Sequence, residues 1–399
     1  MRGHMNYHQV FAWATYDLAN TAFSALFVTF FFPFYVKEFL GGNEFHIGLT
    51  FGISIFLVGI LVPFIGAWSD ALKRRIPFIG VFTLLCCSAV LFVGYVPFAY
   101  ALLFGGAANF FYHAALTTYN ALLLDVSKPR KIGLISGIGI GIGYLGTFLS
   151  LAMAAIILSF LGWETKEGVQ GVFIGTAIFF LIFSSILFFF FKEKQKKHTL
   201  MHPLRAGLQE IQHTWKHTRK HTSLFWFMLS MLFFGDGMNA VILFLFLYAR
   251  SVIEMPVKGF IVVYVIFSLA AMIGSVISGK ISDHIGAKKT MQFAAVLWMT
   301  VILFLMYFSN VAAFIITGMI GGIALGTIWT TMRPITVHLS PHKNIGQFFG
   351  YLELTDKFSG VIGSIVFGYL AAHVNYTAAL SSLFIFFIAG LVALSKVDA

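Results

Sequence analysis

The chain is poor in charge. Only 10% of its 399 residues are Asp, Glu, Lys or Arg, against about a quarter in soluble domains, so a water-facing globular surface is excluded. Cysteine is nearly absent: Cys86 and Cys87 are the only two, adjacent within an apolar run, and they form neither a disulfide framework nor a zinc motif. There is no single short apolar segment followed by soluble composition, the pattern of a cleaved secretory leader. What fills the chain is hydrophobic residue, 59% of the total with 48 phenylalanines, in runs of 18 or more that recur along nearly its whole length. These features describe an integral, multi-pass membrane protein with the lipid bilayer as its solvent. The opening Met1-Arg-Gly-His-Met5 reads as vector sequence ahead of a start at Met5.

Apolar runs between charged or Gly/Pro-marked breaks place twelve spans, at roughly 10–36, 46–69, 77–95, 98–124, 130–160, 168–191, 222–248, 257–280, 289–309, 311–338, 344–372 and 377–396. A net charge of +11 would point to nucleic acid in a soluble protein; here its distribution points elsewhere. With the N-terminus in the cytoplasm, 20 of the 26 Lys and Arg fall on inner segments and only Lys37, Lys166, Arg250 and Lys258 on outer ones. The positive-inside rule therefore puts both termini in the cytoplasm, and nucleic acid is not an expected partner.

The one long polar stretch, 192–221, divides an N-terminal bundle of six spans (1–191) from a C-terminal one (222–399). Local sequence repeats across it. Gly66-Ala-Trp-Ser-Asp70-Ala-Leu-Lys73-Arg74-Arg75 follows the second span and Gly279-Lys-Ile-Ser-Asp283-His-Ile-Gly286-Ala-Lys288-Lys289 the eighth; Asp17-Leu-Ala-Asn20 in the first span is matched by Asp236-Gly-Met-Asn239 in the seventh. Repeated halves with a site between them are a transporter architecture.

The pattern G-x-x-x-D-x-x-x-R-R and its second copy resemble the cytoplasmic signature of the major facilitator superfamily, with Lys73 replacing a customary glycine. The resemblance implies an all-α fold of twelve transmembrane helices in two pseudo-symmetric bundles. It also implies gating by Gly66, Asp70, Arg74, Arg75, Gly279, Asp283, Lys288 and Lys289, with Arg333 nearby; a carboxylate at Asp70 or Asp283 suits the positive end of a helix dipole. Within the superfamily the chain resembles the vacuole-effluxer branch, typified by autophagy-related vacuolar amino-acid exporters. The matching stretches are Tyr16-Asp17 with Ala19-Asn20 and Phe23, Tyr119-Asn120-Ala121, Ser136-Gly137 through Gly146, Asp236-Gly237, and Phe348-Phe349-Gly350 with Lys357 and Gly363. Leu18, Asp356 and Ser364 depart from the branch, which usually carries Trp, Gly and Pro there. The resemblance implies amino acids as cargo.

Ionisable residues inside spans are costly and mark function. At about 1.5 Å per residue, Asp356 and Lys357 lie ~18–20 Å from the cytoplasmic end of the eleventh span, near the midplane. Glu353 and Lys357 are four apart with the acid first, a favourable same-face pair. Asp17, Asp236, Glu353 and Asp356 outnumber the bases at depth, and a bound proton or a substrate ammonium group would restore balance. Desolvation favours the neutral form of a carboxyl group, so proton coupling is expected. Asn109, Tyr112 and His113 form a polar cluster in the fourth span. The substrate- and proton-binding set is thus Asp17, Asn20, Asn109, Tyr112, His113, Asp236, Asn239, Glu353, Asp356 and Lys357. The alternative for Lys357 is a static ion pair, and for His113 a packing role.

The glycines of Gly137-Ile-Gly-Ile-Gly-Ile-Gly143-Tyr-Leu-Gly146 lack the strand–helix context of a nucleotide loop and read instead as a close-packing helix face. His213, His217 and His221 share one face of a basic, amphipathic linker suited to anionic headgroups. No convergent nucleophile–base set, metal site or cofactor motif is present, so neither catalysis nor a cofactor is expected. The expected protein is a monomeric transporter of a small polar or zwitterionic solute, in a bacterial inner membrane or, in a eukaryote, a vacuolar or lysosomal one. The runners-up are export of a siderophore, drug or toxic metabolite, and a non-transporting receptor.

Overall fold

The computed structural model describes residues 7–72, 74–126, 132–191, 193, 222–339, 352, 355, 356 and 358–398. Among the described residues the regular elements are all helical: α1 (Tyr7–Phe23), a π-helical stretch (Ser24–Phe31), α2 (Phe32–Leu40), α3 (Glu44–Leu72), α4 (Ile76–Val93), α5 (Phe98–Ala121), the short α6 (Leu123–Val126), α7 (Ile132–Leu161), α8 (Lys166–Phe190), α9 (Thr222–Ser251), α10 (Val257–Ile285), α11 (Ala287–Tyr307), α12 (Val311–Leu339), α13 (Val361–His373) and α14 (Tyr376–Ser395). In lipid a helix satisfies its own backbone, which is why apolar runs of this length become helices.

Among the described residues ten segments are long and apolar enough to cross a membrane. α1, the π stretch and α2 form one of them, His8–Leu40. Its π turn has a local cause. Pro33 supplies no amide hydrogen and its ring crowds the carbonyl one turn back; the backbone widens ahead of it, and the Phe32 amide donates to the Phe27 carbonyl five residues earlier. Two expected spans fall outside the ten. α5 is 24 residues long, but Asn109, His113, Thr117, Thr118 and Asn120 dilute its apolar character. Of the eleventh span, residues 344–351, 353, 354 and 357 lie outside the described residues; the described part turns at Ser359 and Gly360 and continues as the 13-residue α13.

Helix ends follow their residues. Gly41 closes α2 at φ 70°, a left-handed conformation that glycine adopts without penalty. Thr165 caps α8 by accepting from the Gly168 amide at 3.0 Å, and Asn375 caps α14 by accepting from Ala378 at 2.8 Å.

The chain forms two compact units: Met1–Gly41 with Leu57–Ile211, and Gly42–Phe56 with Gln212–Ala399. α3 therefore starts in the second and ends in the first. The first unit has an aromatic interior in which Phe23, Phe27, Tyr35, Phe173 and Phe180 are buried and Phe27 packs on Phe173 at 5.6 Å. In the second, α10 and α12 meet through small residues: a Cβ on Gly326 would lie 2.3 Å from the Ala271 carbonyl, the close backbone approach typical of membrane helices. Outward faces are apolar, as with Phe160 (83% exposed) and Phe189 (81%), the composition lipid requires.

Candidate functional site

In the first unit the polar residues of α1 occupy one face. Trp13, Asp17 and Asn20 follow the i, i+4, i+7 spacing that stacks side chains along a helix, and Tyr16 and Phe23 flank them. The Trp13 ring stacks on Tyr119 of α5 at 5.1 Å, and Tyr119 donates its hydroxyl to the Trp13 carbonyl at 3.0 Å. Tyr16 packs on Tyr119 and Phe23 on Tyr112, each at 4.7 Å. Asn20 lies between those two aromatic contacts along the same face. It is 5% exposed and, among the described residues, its Oδ1 has no hydrogen-bond partner; Trp13 is 4% exposed and its Nε1 is likewise without one among them. α7 presents glycines to this face. A Cβ on Gly139 would sit 2.7 Å from the Trp13 ring and 3.1 Å from Asp17 Oδ2, and one on Gly146 would lie 2.1 Å from the Leu18 carbonyl. The glycine-rich fifth span is therefore an unbroken helix that lets its backbone approach the polar stripe.

The fourth-span cluster joins this face at one point. Tyr112 stacks on Phe23 and meets the His113 ring edge-on at 4.8 Å, and Asn109, one turn away, is 1% exposed.

In the second unit the matching motif does something different. Asp236 Oδ1 accepts from the Gly360 amide at 2.8 Å and the Gly363 amide at 2.9 Å. Gly360, at φ 92°, is the residue that precedes α13. The carboxylate thus satisfies amides that the first turn of a helix leaves unpaired, where the helix dipole favours negative charge. Asn239, one turn along α9, donates from Nδ2 to the Ser359 carbonyl at 3.4 Å and to Ser359 Oγ at 3.3 Å. Asp356 is partly buried just before the break, and Ser359 Oγ donates to its carbonyl at 2.8 Å. Glu353 and Lys357 lie outside the described residues.

The gating set is placed in part. Arg75 binds Asp125 Oδ2 at 3.0 Å and the Ala121 carbonyl at 2.9 Å through Nη1. Glu193 Oε1 accepts from the Arg75 amide and, at 3.2 Å, from the Ile76 amide at the start of α4. In the second unit Lys288 Nζ donates to the carbonyls of Ser395, the last residue of α14, and of Val397 just after it. Arg74, Asp283 and Lys289 are exposed, and Gly279 and Arg333 partly buried within helices. Gly66 and Asp70 lie in α3, with side chains outside the described set. His213, His217 and His221, and the linker apart from Glu193, lie outside the described residues. Among the described residues no three His, Cys, Asp or Glu side chains converge as metal ligands.

Sequence reasoning overlooked Trp13, Tyr119, Asp125, Glu193, Ser359 and Gly360. Trp13 was discoverable as the residue one turn before Asp17. The Gly360-Val-Ile-Gly363 spacing resembles the close-packing glycines of α7 and gave no hint of a break.

Buried polar stripes inside apolar helical bundles are an arrangement that membrane solute carriers use. The profile of the Major Facilitator Superfamily matches residues 18–291 and 257–398, and the chain belongs to that family. It is 23% identical over 402 residues to the uncharacterized MFS-type transporter YxiO of Bacillus subtilis (strain 168), covering 97% of this chain and 94% of the relative. It is 19% identical to a multi-drug resistance efflux pump PmrA homolog of Lactococcus lactis, over 89% and 87% of the two chains. The fold matches that of the nucleoside transporter NupG with a TM-score of 0.74 at 15% identity, over 97% and 98% of the chains.

Proposed function

We propose that this chain is a monomeric secondary transporter of a small polar or zwitterionic metabolite, working by alternating access with proton coupling. Amino acids are the favoured cargo and both termini face the cytoplasm. A bacterial inner membrane is the expected site, or a vacuolar or lysosomal membrane in a eukaryote. The observation that carries the reading is the stripe Trp13–Asp17–Asn20. A buried polar group without a partner costs about 1–3 kcal/mol, yet Trp13 Nε1 and Asn20 Oδ1 are both kept that way, on the same face as an acid. A zwitterion complements them: its carboxylate accepts from the indole N–H, and its ammonium donates to Asp17 and Asn20. The resemblance to vacuolar amino-acid exporters adds support, and transport of this kind needs no covalent step. Asp356, Lys357 and Glu353 complete the proposed set in the second half.

The test is a thermal-shift screen of detergent-purified protein against the proteinogenic amino acids, followed by counterflow in liposomes with a lumenal pH dye. A ligand at a hundred times its Kd stabilises the folded state by about 2.7 kcal/mol, enough to raise Tm by several degrees. Asn20→Leu should weaken the responding amino acid about tenfold, equivalent to ~1.4 kcal/mol. Asp17→Asn should uncouple proton movement from solute movement. Counterflow restricted to bulky aromatic drugs would replace this reading with the efflux one, which the aromatic wall of Trp13, Tyr16, Phe23, Tyr112 and Tyr119 favours. Binding without counterflow would favour a receptor.

A further inference from the structure

We propose that Asp236 and Asn239 are positioning residues, a bracket that holds the eleventh span broken at Gly360 and thereby sets Asp356 just before the break. Three observations converge on it, all within one compact unit. First, Asp236 Oδ1 accepts from both Gly360 and Gly363, the amides at the N-cap and third position of α13. Asp and Asn are the strongest residues at helix N-caps; here the acceptor comes from another helix. Second, Asn239 reaches the carbonyl on the other side of the break, at Ser359. One helical turn of α9 therefore offers an acceptor to the amides that follow the break and a donor to the carbonyl before it. Third, the backbones are pressed together by glycine. A Cβ on Gly363 would lie 2.3 Å from the Asp236 carbonyl, one on Gly235 2.4 Å from Ser359 Oγ, and one on Gly360 2.9 Å from Asn239 Cβ. Gly360 is the hinge, because its φ of 92° is strained for any residue with a side chain.

The other half of the duplication sharpens the assignment. Asp17 and Asn20 have the same spacing, but α7, which faces them, runs unbroken from Ile132 to Leu161. The two copies have diverged: in one, Trp13 Nε1 and Asn20 Oδ1 have no hydrogen-bond partner among the described residues; the other is spent on a helix break. A bracket needs an acceptor at Asp236, whereas a proton carrier needs an acid, and Asn supplies the first without the second.

The contribution of the bracket to transport rests on the transporter reading; the bracket itself does not. Hydrogen–deuterium exchange of the purified full-length protein, followed on peptides spanning 359–366, needs no solute. Asp236→Asn should keep wild-type protection there. Asp236→Ala and Asn239→Leu should speed exchange about tenfold, as local opening free energy falls by the lost hydrogen bonds. In counterflow of a radiolabelled L-amino-acid mixture, Asp236→Asn should stay well ahead of Asp236→Ala in maximal rate. The two bracket-breaking variants should lose about tenfold in maximal rate with half-saturation moved less than about threefold. Should Asp236→Ala yield no folded protein, Asn239→Leu, which spares the carboxylate, carries the same comparison. Wild-type protection in both bracket-breaking variants overturns the bracket. A dead but fully protected Asp236→Asn overturns the positioning role and restores an acid–base one. Absence of amino-acid counterflow in the wild type, with the exchange ranking intact, overturns only the cargo.

Discussion

Tyr119 shows how one side chain serves both packing and the site. Its ring lies against Trp13 and Tyr16 while its hydroxyl holds the Trp13 carbonyl, so it fixes where the Trp13 indole N–H can be offered. Tyr119→Phe keeps the stacking and deletes one hydrogen bond, and should cost about 1 kcal/mol. Tyr119→Ala empties a site in which the ring is 1% exposed and should cost about 3–5 kcal/mol. Thermal unfolding of the two purified variants distinguishes them. If Tyr119→Phe also weakens the responding amino acid beyond what its Tm loss explains, the hydroxyl is orienting Trp13; equal solute affinity would confine Tyr119 to packing. Asp17 and Asn20 could be singled out from the sequence because polar residues inside a long apolar run are conspicuous. Trp13 and Tyr119 could not, since an aromatic at helical spacing in a chain with 48 phenylalanines reads as core.

Helices obey their own rules here, and two glycine-rich spans show where local sequence stops being informative. α7 carries Gly139, Gly141, Gly143 and Gly146 and remains a single helix of 30 residues; the eleventh span carries Gly360 and Gly363 and breaks. Glycine permits a break without causing one. What differs is a carboxylate from 124 residues earlier in the chain that satisfies the freed amides, and no window of sequence around Gly360 contains it. The apolar runs themselves were legible, because a membrane leaves helix as the one local solution; tertiary capping was not. Substitutions along α7 test its packing role. Gly146→Val places a branched side chain against the Leu18 carbonyl, where even a Cβ would lie 2.1 Å away, whereas Gly141→Ala meets nothing within 4 Å. The first should destabilise by about 1–3 kcal/mol or more through overpacking. The second should be neutral or stabilising by up to ~1 kcal/mol from helix propensity. Scanning calorimetry of both in one detergent decides the matter, and equal losses in Tm would mean that α7 does not press on α1 as described.

Across the whole molecule, charge is the information that packing lacks. A bundle of apolar helices is equally well packed in either orientation, and the bilayer distinguishes the two through the basic residues that flank the spans. The folded chain carries that bias into contacts. Arg75 is held by Asp125 and Glu193 caps α4 at one helix junction, and Lys288 binds carbonyls at the C-terminal end of α14 at its counterpart. The positive-inside rule would assign each junction to the cytoplasmic side, and on that expectation the charges that orient the chain also tie its helix ends. Single cysteines placed at exposed Glu164 and His284, in a background with Cys86 and Cys87 replaced by alanine, report the orientation. In intact bacterial cells a membrane-impermeant maleimide should label Glu164→Cys, and His284→Cys should react only after the membrane is permeabilised. The reverse pattern would invert the topology and with it the assignment of both motif copies to the inner face, while leaving the Trp13–Asp17–Asn20 stripe and the Gly360 break where they are.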